Sequence, residues 1–418
     1  MKIRLNVFGF ILLLPIFLGV GSCKISEEEK HPVKPARSEE AAVKEFTLFE
    51  HQKLDSVKAN LTSSEYNSAY QKLLDEADYA LEDTVFSVTF KKLTPPSGDK
   101  RDYLSYGPYW WPDPVKADGL PWIRRDGEVN PLSRNNNTDY TTKSAFFNNV
   151  SDLSWAFFFS DNEAYATKLV ELLQVWFLDE KTKMNPNLEF AQGIPGINTG
   201  RGIGIIDFAG ITKVITAIEI LESKGAITIQ KSNELRQWFT NYLDWLETSK
   251  NGVFERDRLN NHGTWYDNQV VSIMIFLNRR EEAKKVLKIA RYKRIADQLE
   301  DDGSQPLELE RTKSLHYSVM NLRAMTQLAY FGKRIGVDLW NFSPDDGGGI
   351  KQAYEYLKPY ATTDKKWEYK QIQSMEDAKK ELRELFATTG CFFDVPEFLE
   401  IGKDDIPKKE KLFFNFAD

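Results

Sequence analysis

The strongest constraint on the fold is a succession of helical patterns along most of the chain. In residues 162–178 (NEAYATKLVELLQVWFL), apolar side chains recur at steps of three and four, as on one face of a helix. Similar faces recur in residues 207–221, 229–246, 267–277, 281–298, 315–330, 349–357 and 374–386. No run of alternating strands appears between them, so the pattern predicts an all-α protein.

Each of these helices must bury its apolar stripe against its neighbours. Short polar or glycine-bearing connections favour antiparallel helix pairs, wound into an (α/α) toroid or an incomplete barrel. A solenoid is the competing arrangement, but no fixed-period repeat supports it. We expect one toroid domain over residues 45–418.

The N-terminus has the layout of an export signal. Lys2 and Arg4 precede an apolar run at 7–18, and small residues precede Cys23, as in bacterial lipoprotein signals. We therefore expect a signal peptide at 1–22 and lipidation of Cys23, with an ordinary cleaved signal as the alternative. The charged, proline-containing residues 23–44 predict a flexible tether. This arrangement predicts an exported protein of the periplasm or outer membrane, attached to the membrane only through its lipid.

Composition limits the class of ligand. Hydrophobic residues make up 41% and charged residues 28% of the 418, which is typical of a globular protein. The formal charge of -7 argues against nucleic acid as a partner, because binding phosphates requires a basic face. An anionic substrate held in a local basic cleft remains compatible with this charge.

Three long irregular segments interrupt the helices, at roughly 94–145, 185–204 and 250–266, and such loops are usually functional. The first contains RDYLSYGPYWWPDP, followed by GLPWIRRDGEVNP. Aromatic faces beside polar groups suit sugar rings, although a rigid aromatic plug would explain the pattern equally well. The predicted substrate contacts of this segment are Tyr106, Tyr109, Trp110, Trp111 and Arg125.

The second segment, EFAQGIPGINTGRGIG, contains five glycines but lacks the spacing of a phosphate-binding loop. It predicts a loop that brings Gln192, Asn198 and Arg201 to a ligand, with a flexible connector as the alternative. The third segment contains NNHGTWY, just before a helix expected to begin near residue 266 or 267. Asn261, His262 and Tyr266 are candidates there, although helix capping alone could explain an asparagine.

Histidine is scarce, with four in the chain, and a second one lies in ELERTKSLHYS beside Arg311 and Tyr317. This second histidine is His316, a predicted substrate contact. Metal binding is a poor explanation because paired histidine or cysteine ligands at the usual spacing are absent. The sequence predicts no metal and no cofactor. A serine hydrolase is also disfavoured because G-x-S-x-G is absent.

Asparagine, histidine, arginine and tyrosine together suit β-elimination across a uronic acid. Removing the C5 proton builds negative charge on the adjacent carboxylate, which Asn261 and His262 or Arg311 can stabilise. A tyrosine can move the proton, but its ordinary pKa near ~10 requires a nearby cation if it is to act as a base. Arg311 is the expected cation beside Tyr317. The expected partner is an anionic polysaccharide or oligosaccharide.

Four separated stretches also resemble the alginate lyase superfamily of helical-toroid polysaccharide lyases: DYLSYGPYWWPDP, GLPWIRRDGEVNP, NNHGTWYDNQ and ERTKSLHYSVMNL. The resemblance extends from about residue 85 to about residue 340. It implies metal-independent elimination in a deep cleft of an (α/α) toroid. It further implies that Asn261 and His262 neutralise the carboxylate, with His262 able to act as the base on one epimer, that Tyr317 is the acid/base and that Arg311 lies beside it. Whether His262 removes the proton in an anti elimination or Tyr317 makes both transfers in a syn one depends on the stereochemistry of the substrate and stays open. The tryptophan-rich YWWPDP departs from the mannuronate-specific enzymes, so alginate, glucuronan and another glucuronic-acid polymer remain open.

Two alternatives remain at the level of sequence. A glycoside hydrolase on the same kind of ring needs paired carboxylates, for which Asp139, Asp207 and Asp267 are candidates. A noncatalytic glycan-binding lipoprotein would explain the aromatic loop but gives no role to the group formed by Asn261, His262, Arg311 and Tyr317.

Overall fold

Residues 45–345 and 347–414 are described in a computed structural model of the chain. The predicted signal peptide (1–22), tether (23–44) and lipidation site Cys23 lie outside these residues. Within the described part, no helix combines the length and hydropathy needed to cross a membrane.

Helices account for most of this part of the chain. The α-helices are α1 His51–Ala59, α2 Asn67–Glu82, α3 Tyr140–Ser160, α4 Glu163–Phe177, α5 Thr212–Ser223, α6 Ile229–Thr248, α7 Lys250–Arg256, α8 Asn261–Phe276, α9 Arg280–Ala290, α10 Pro306–Leu309, α11 Ser314–Ile335, α12 Ile350–Thr362, α13 Met375–Phe393, α14 Pro396–Gly402 and α15 Lys411–Phe414. Short 3-10 helices cover Val88–Phe90, Pro131–Arg134, Gly202–Phe208 and Lys408–Glu410, and a π-helical turn covers Arg291–Ala296.

Five helices form an inner series in which α3 contacts α5, α5 contacts α8, α8 contacts α11, and α11 contacts α13. Other helices pack outside them: α2 and α4 against α3, α6 and α9 against α8, and α12 and α14 against α13. Connections as short as residues 161 and 162, between α3 and α4, make sequential helices antiparallel. This arrangement is the predicted (α/α) toroid, and the all-α prediction is confirmed.

The inner helices explain where the predicted boundaries were wrong. In α8, every residue except His262 is buried, so the helix has no polar face to reveal its start. It begins at Asn261 rather than near 266. Helix α3 is likewise buried over most of its surface and begins at Tyr140, inside the first predicted loop. Helix α7 lies within the third predicted loop, and α5 begins at Thr212 after a 3-10 helix.

Four short strands order the loops. β1 (Leu104–Tyr106) pairs in parallel with β4 (Phe190–Gly193), which fastens the first long loop to the second. β2 (Trp110–Trp111) pairs antiparallel with β3 (Ile123–Arg124) inside the first loop. The aromatic segment is therefore held by backbone hydrogen bonds.

A buried ion pair fixes the beginning of α8. The Arg294 side chain is 1% exposed, and its Nε lies 2.7 Å from Asp267 Oδ2. The same guanidinium donates to the carbonyl oxygens of Arg256 and Arg258, both at 2.7 Å. The chain leading into α8 is thus tied to the π-helical turn.

We expect Arg294→Met to lower the free energy of unfolding by about 3–5 kcal/mol, because it leaves the Asp267 carboxylate buried without its partner. Urea denaturation followed by circular dichroism measures this change. Lys293→Met is the matched control: it removes a partly exposed pair with Asp257, for which a loss below about 1 kcal/mol is expected. Equal losses in the two variants would contradict the assigned role of Arg294.

Candidate active site

A cleft of about 640 Å³ forms where the N-terminal turns of three inner helices meet the long loops. Helix α3 contributes Tyr140 and Lys143, α8 contributes Asn261 and His262, and α11 contributes His316, Tyr317 and Met320. Helix N-termini carry partial positive charge, so all three favour an anionic ligand. Nine predicted site residues line this cleft: Tyr109, Trp110, Gln192, Arg201, Asn261, His262, Arg311, His316 and Tyr317.

Five predicted substrate contacts lie outside the cleft wall: Tyr106, Trp111, Arg125, Asn198 and Tyr266. The indole N–H of Trp111 donates to the carbonyl oxygen of Glu128 at 3.0 Å, and its ring packs on the Arg125 guanidinium with 5.1 Å from carbon to ring centroid. Tyr106 and Asn198 line a separate groove beside β1. Because β2 places Trp110 and Trp111 on opposite sides, Trp110 alone of this pair reaches the cleft.

Tyr266 is a correction to the sequence prediction. It is 3% exposed, and its hydroxyl donates to the carbonyl oxygen of Leu246 at 2.9 Å. Since α8 begins five residues earlier than expected, Tyr266 falls in the second helical turn and packs against the end of α6. It supports the fold and does not line the cleft.

His262 is paired with a carboxylate that the sequence prediction missed. Its Nδ1 lies 2.7 Å from Oε1 of Glu255, a side chain with 0% exposure. The carboxylate accepts the hydrogen on Nδ1, which leaves Nε2 as the basic nitrogen of the neutral ring. The buried Glu255 carboxylate fixes both the tautomer and the orientation of the imidazole at the cleft wall.

Asn261 is held by a second buried acid, Glu308. The Asn261 backbone N–H donates to Glu308 Oε1 at 2.7 Å, and its side-chain nitrogen lies 2.9 and 2.8 Å from the two carboxylate oxygens. Burial raises the pKa of Glu308, and the hydrogen bonds from Asn261 oppose that rise. The amide expected to meet a substrate carboxylate is thus already oriented by a protein acid.

Tyr317 donates a 2.6 Å hydrogen bond to the hydroxyl of Tyr109. Burial raises the pKa of Tyr317 well above its usual range, the nearby Tyr109 adds to the rise, and the Arg311 guanidinium offsets part of it. The phenol is therefore protonated at neutral pH and is ready to donate a proton.

The expected role of Arg311 needs correction. Its guanidinium carbon lies 3.9 Å from the Tyr317 ring centroid, as predicted from their spacing, but its Nη2 also lies 2.9 Å from Asp126 Oδ1. The Asp126 carboxylate neutralises much of the field of Arg311. Because this cation cannot outweigh burial, it does not hold Tyr317 as a phenolate.

Sequence reasoning also missed a set of cleft residues made up of Arg134, Tyr140, Lys143 and Arg258. Lys143 had a usable signal, since it is a lone charge in the aromatic run YTTKSAFF. The others looked like ordinary surface residues. Glu255 and Glu308 carried no distinguishing pattern, because charged residues surround both in the sequence.

The aspartates of the hydrolase alternative are occupied elsewhere. Asp139 pairs with Lys91 at 3.0 Å, and Asp267 pairs with Arg294. Asp207 lines the cleft, but its oxygens accept hydrogen bonds from Tyr103, Ser105 and Gln192 at 2.6–3.0 Å. Among the described residues, Asp207 is the one carboxylate that lines the cleft, whereas glycoside hydrolysis requires two.

The comparisons with known proteins agree with this geometry. The family model described as alginate lyase matches residues 87–367. The crystal structure of an alginate lyase from Bacteroides ovatus is 36% identical, with a TM-score of 0.85, over 89% of this chain and 99% of that chain. No curated protein sequence matches the chain.

More distant solved structures share the fold. Alginate lyase A1-III from Sphingomonas species A1 is 16% identical with a TM-score of 0.51, over 90% of this chain and 97% of that one. A variant of alginate lyase A1-III complexed with a tetrasaccharide is 14% identical with a TM-score of 0.56, over 91% and 98%. Taken with the family match and the 36% identical relative, the cleft and toroid show that the chain belongs to the alginate lyase family and is a polysaccharide lyase.

Proposed function

We propose that the chain cleaves a uronic-acid polysaccharide by β-elimination, with His262 as the base and Tyr317 as the acid. The observation that carries this proposal is the contrast between the two groups. His262 has a buried carboxylate on Nδ1 and a basic Nε2 at the cleft, whereas Tyr317 is a buried, protonated phenol. The imidazole thus presents a ring nitrogen to the cleft, and the phenol carries the proton that the departing oxygen needs.

The reaction needs no water as a reactant. Nε2 of His262 takes the C5 proton, and the electron pair of the broken C5–H bond forms the C4–C5 double bond. The bond from C4 to the glycosidic oxygen breaks, and Tyr317 protonates the departing oxygen. His262 is left as an imidazolium beside Glu255, and transfer of its proton to solvent, with reprotonation of Tyr317, resets the site.

Asn261 stabilises the charge that develops on the substrate carboxylate. An amide nitrogen carries two hydrogens, and one of them suffices to hold Glu308. The other is the donor that we assign to the substrate. A preorganised donor of this kind is worth about 10²–10³ in turnover.

The substrate proposed first is alginate, since the 36% identical relative is described as an alginate lyase. Separate acid and base groups suit a residue whose C5 hydrogen and C4 oxygen lie on opposite faces of the ring. In alginate this geometry belongs to guluronate, while mannuronate carries both on one face. We therefore propose polyguluronate as the preferred block.

Glu255→Gln tests the support of the base. Glutamine keeps the size of the side chain but removes the charge that stabilises the imidazolium formed on proton transfer. We expect kcat to fall by at least about tenfold with KM nearly unchanged, on the scale of other groups that orient a catalytic ligand. Glu381→Gln, which alters the carboxylate on Nδ1 of His316, is the matched control. A larger loss in the control would point to His316 as the base.

Elimination itself is tested by digesting alginate in water enriched in heavy oxygen. Elimination gives an unsaturated, ultraviolet-absorbing end and incorporates no solvent oxygen. Hydrolysis gives saturated ends that carry the heavy atom. Mass spectra showing incorporation without absorbance would reject the proposal.

A further inference from the structure

The cleft contains a buried lysine that elimination at the reacting sugar does not require. Lys143, in the first turn of α3, is 6% exposed and lines the cleft wall. Its ammonium lies 4.7 Å from the centroid of the Tyr140 ring and 5.3 Å from that of Phe147. Among the described residues, no side chain accepts a hydrogen bond from its ammonium, and the nearby Asp207, Arg134 and Lys213 act on it only as charges.

Lys91 is a buried lysine whose ammonium is fully paired within the protein, and it provides a comparison for Lys143. Its ammonium, with a fully buried side chain, donates to the carbonyl oxygens of Val88, Lys100 and Asp102 and pairs with Asp139 at 3.0 Å. A buried cation without such partners costs several kcal/mol. A bound ligand that carries an anion would offset this cost at Lys143.

The surroundings of Lys143 favour an anion of a particular kind. The Arg134 guanidinium carbon lies 3.6 Å from the same Tyr140 ring centroid. Nη1 of Arg134 donates to the Ser133 carbonyl oxygen rather than to a carboxylate. Asp207 is the nearby acid, but its oxygens are taken by Tyr103, Ser105 and Gln192. Two cations thus flank one aromatic ring, which suits a sugar bearing a carboxylate.

We propose that Lys143, Arg134 and Tyr140 form a subsite for the carboxylate of a second uronate residue, next to the one that reacts. This inference rests on the proposed function and narrows its substrate class. Arg311, which is already paired with Asp126, lies beside the sugar that reacts and is not part of this subsite. A polymer in which adjacent sugars are both uronates fills both positions, whereas one that alternates uronates with neutral sugars leaves the subsite without its anion.

Calorimetric titration of a guluronate tetrasaccharide tests the subsite, in a Tyr317→Phe background that slows turnover. Lys143→Met should raise Kd about ten- to a hundredfold, the value of a charge-assisted hydrogen bond. Lys213→Met is the control, since it removes an exposed lysine that donates to Asn148 and lines a different cavity. It should leave Kd unchanged. If Lys143→Met does not fold, Arg134→Gln should show a smaller rise.

The pH profile gives a second readout. Burial lowers the pKa of Lys143 to about 8, Asp207 opposes that shift, and Arg134 and Lys213 add to it. Lys143 is charged below that pH and neutral above it, so KM of the unmodified enzyme should rise between pH 8 and pH 9, and Lys143→Met should flatten that rise. An unchanged Kd in both subsite variants, with cleavage intact in the parent, overturns the subsite alone. A parent enzyme that neither binds nor cleaves overturns the proposed function as well.

Discussion

Tyr317→Phe should lower kcat on alginate by about 10²–10⁴, the range for loss of a positioned acid. The variant removes one hydroxyl, the atom proposed to protonate the departing glycosidic oxygen, and keeps the ring that packs under Arg311. Binding should therefore be nearly unchanged. Turnover is followed by the absorbance of the unsaturated product, and binding by calorimetry with a guluronate tetrasaccharide.

Tyr109→Phe is the matched control for this prediction. It removes the hydroxyl that accepts the 2.6 Å hydrogen bond but leaves the proton donor in place. We expect a loss of less than about tenfold, because the phenol of Tyr317 remains buried and protonated. Comparable losses in the two variants would show that the tyrosine pair acts as a unit or that Tyr109 donates the proton.

His262→Ala should lower kcat on polyguluronate by a similar factor, about 10²–10⁴, because it removes Nε2, the atom proposed to take the C5 proton. Its control is His316→Ala, since His316 lines the same cleft and also has Nδ1 at 2.7 Å from a glutamate. We expect that variant to raise KM more than it lowers kcat. Circular dichroism checks that both variants are folded.

Retention of activity by His262→Ala on every uronan would contradict the assignment of the base. Retention on polymannuronate alone has a different meaning: Tyr317 would then move the proton by itself on the epimer whose C5 hydrogen and C4 oxygen share a face. The two outcomes separate the identity of the base from the geometry of the substrate.

The all-α toroid could be predicted because amphipathic stripes recur along most of the chain. Helix α4 shows the best case: residues 162–178 were expected and Glu163–Phe177 are helical, with Asn162 accepting the N-terminal cap hydrogen bond. Helix α8 shows the limit. A helix buried on nearly all sides has no period to read, so its start at Asn261 was missed, and Tyr266 was wrongly assigned to the cleft.

Within the site, the catalytic candidates could be predicted from the sequence, but the buried carboxylates that orient them could not. His262 and Tyr317 stood out because histidine is scarce and because both lie in distinctive motifs. Folding brings Glu255 beside His262 and Glu308 beside Asn261. No local sequence pattern predicts either contact. The protonation state of Tyr317 was predicted incorrectly for the same reason, since burial and Asp126 come from tertiary structure.

The division of roles between His262 and Tyr317 is tested most directly by the kcat/KM of the unmodified enzyme on purified polyguluronate and polymannuronate, followed by ultraviolet absorbance. A base at His262 and an acid at Tyr317 predict faster elimination on polyguluronate, with that activity lost in His262→Ala. Faster elimination on polymannuronate, surviving in His262→Ala, would contradict the division of roles between these two residues.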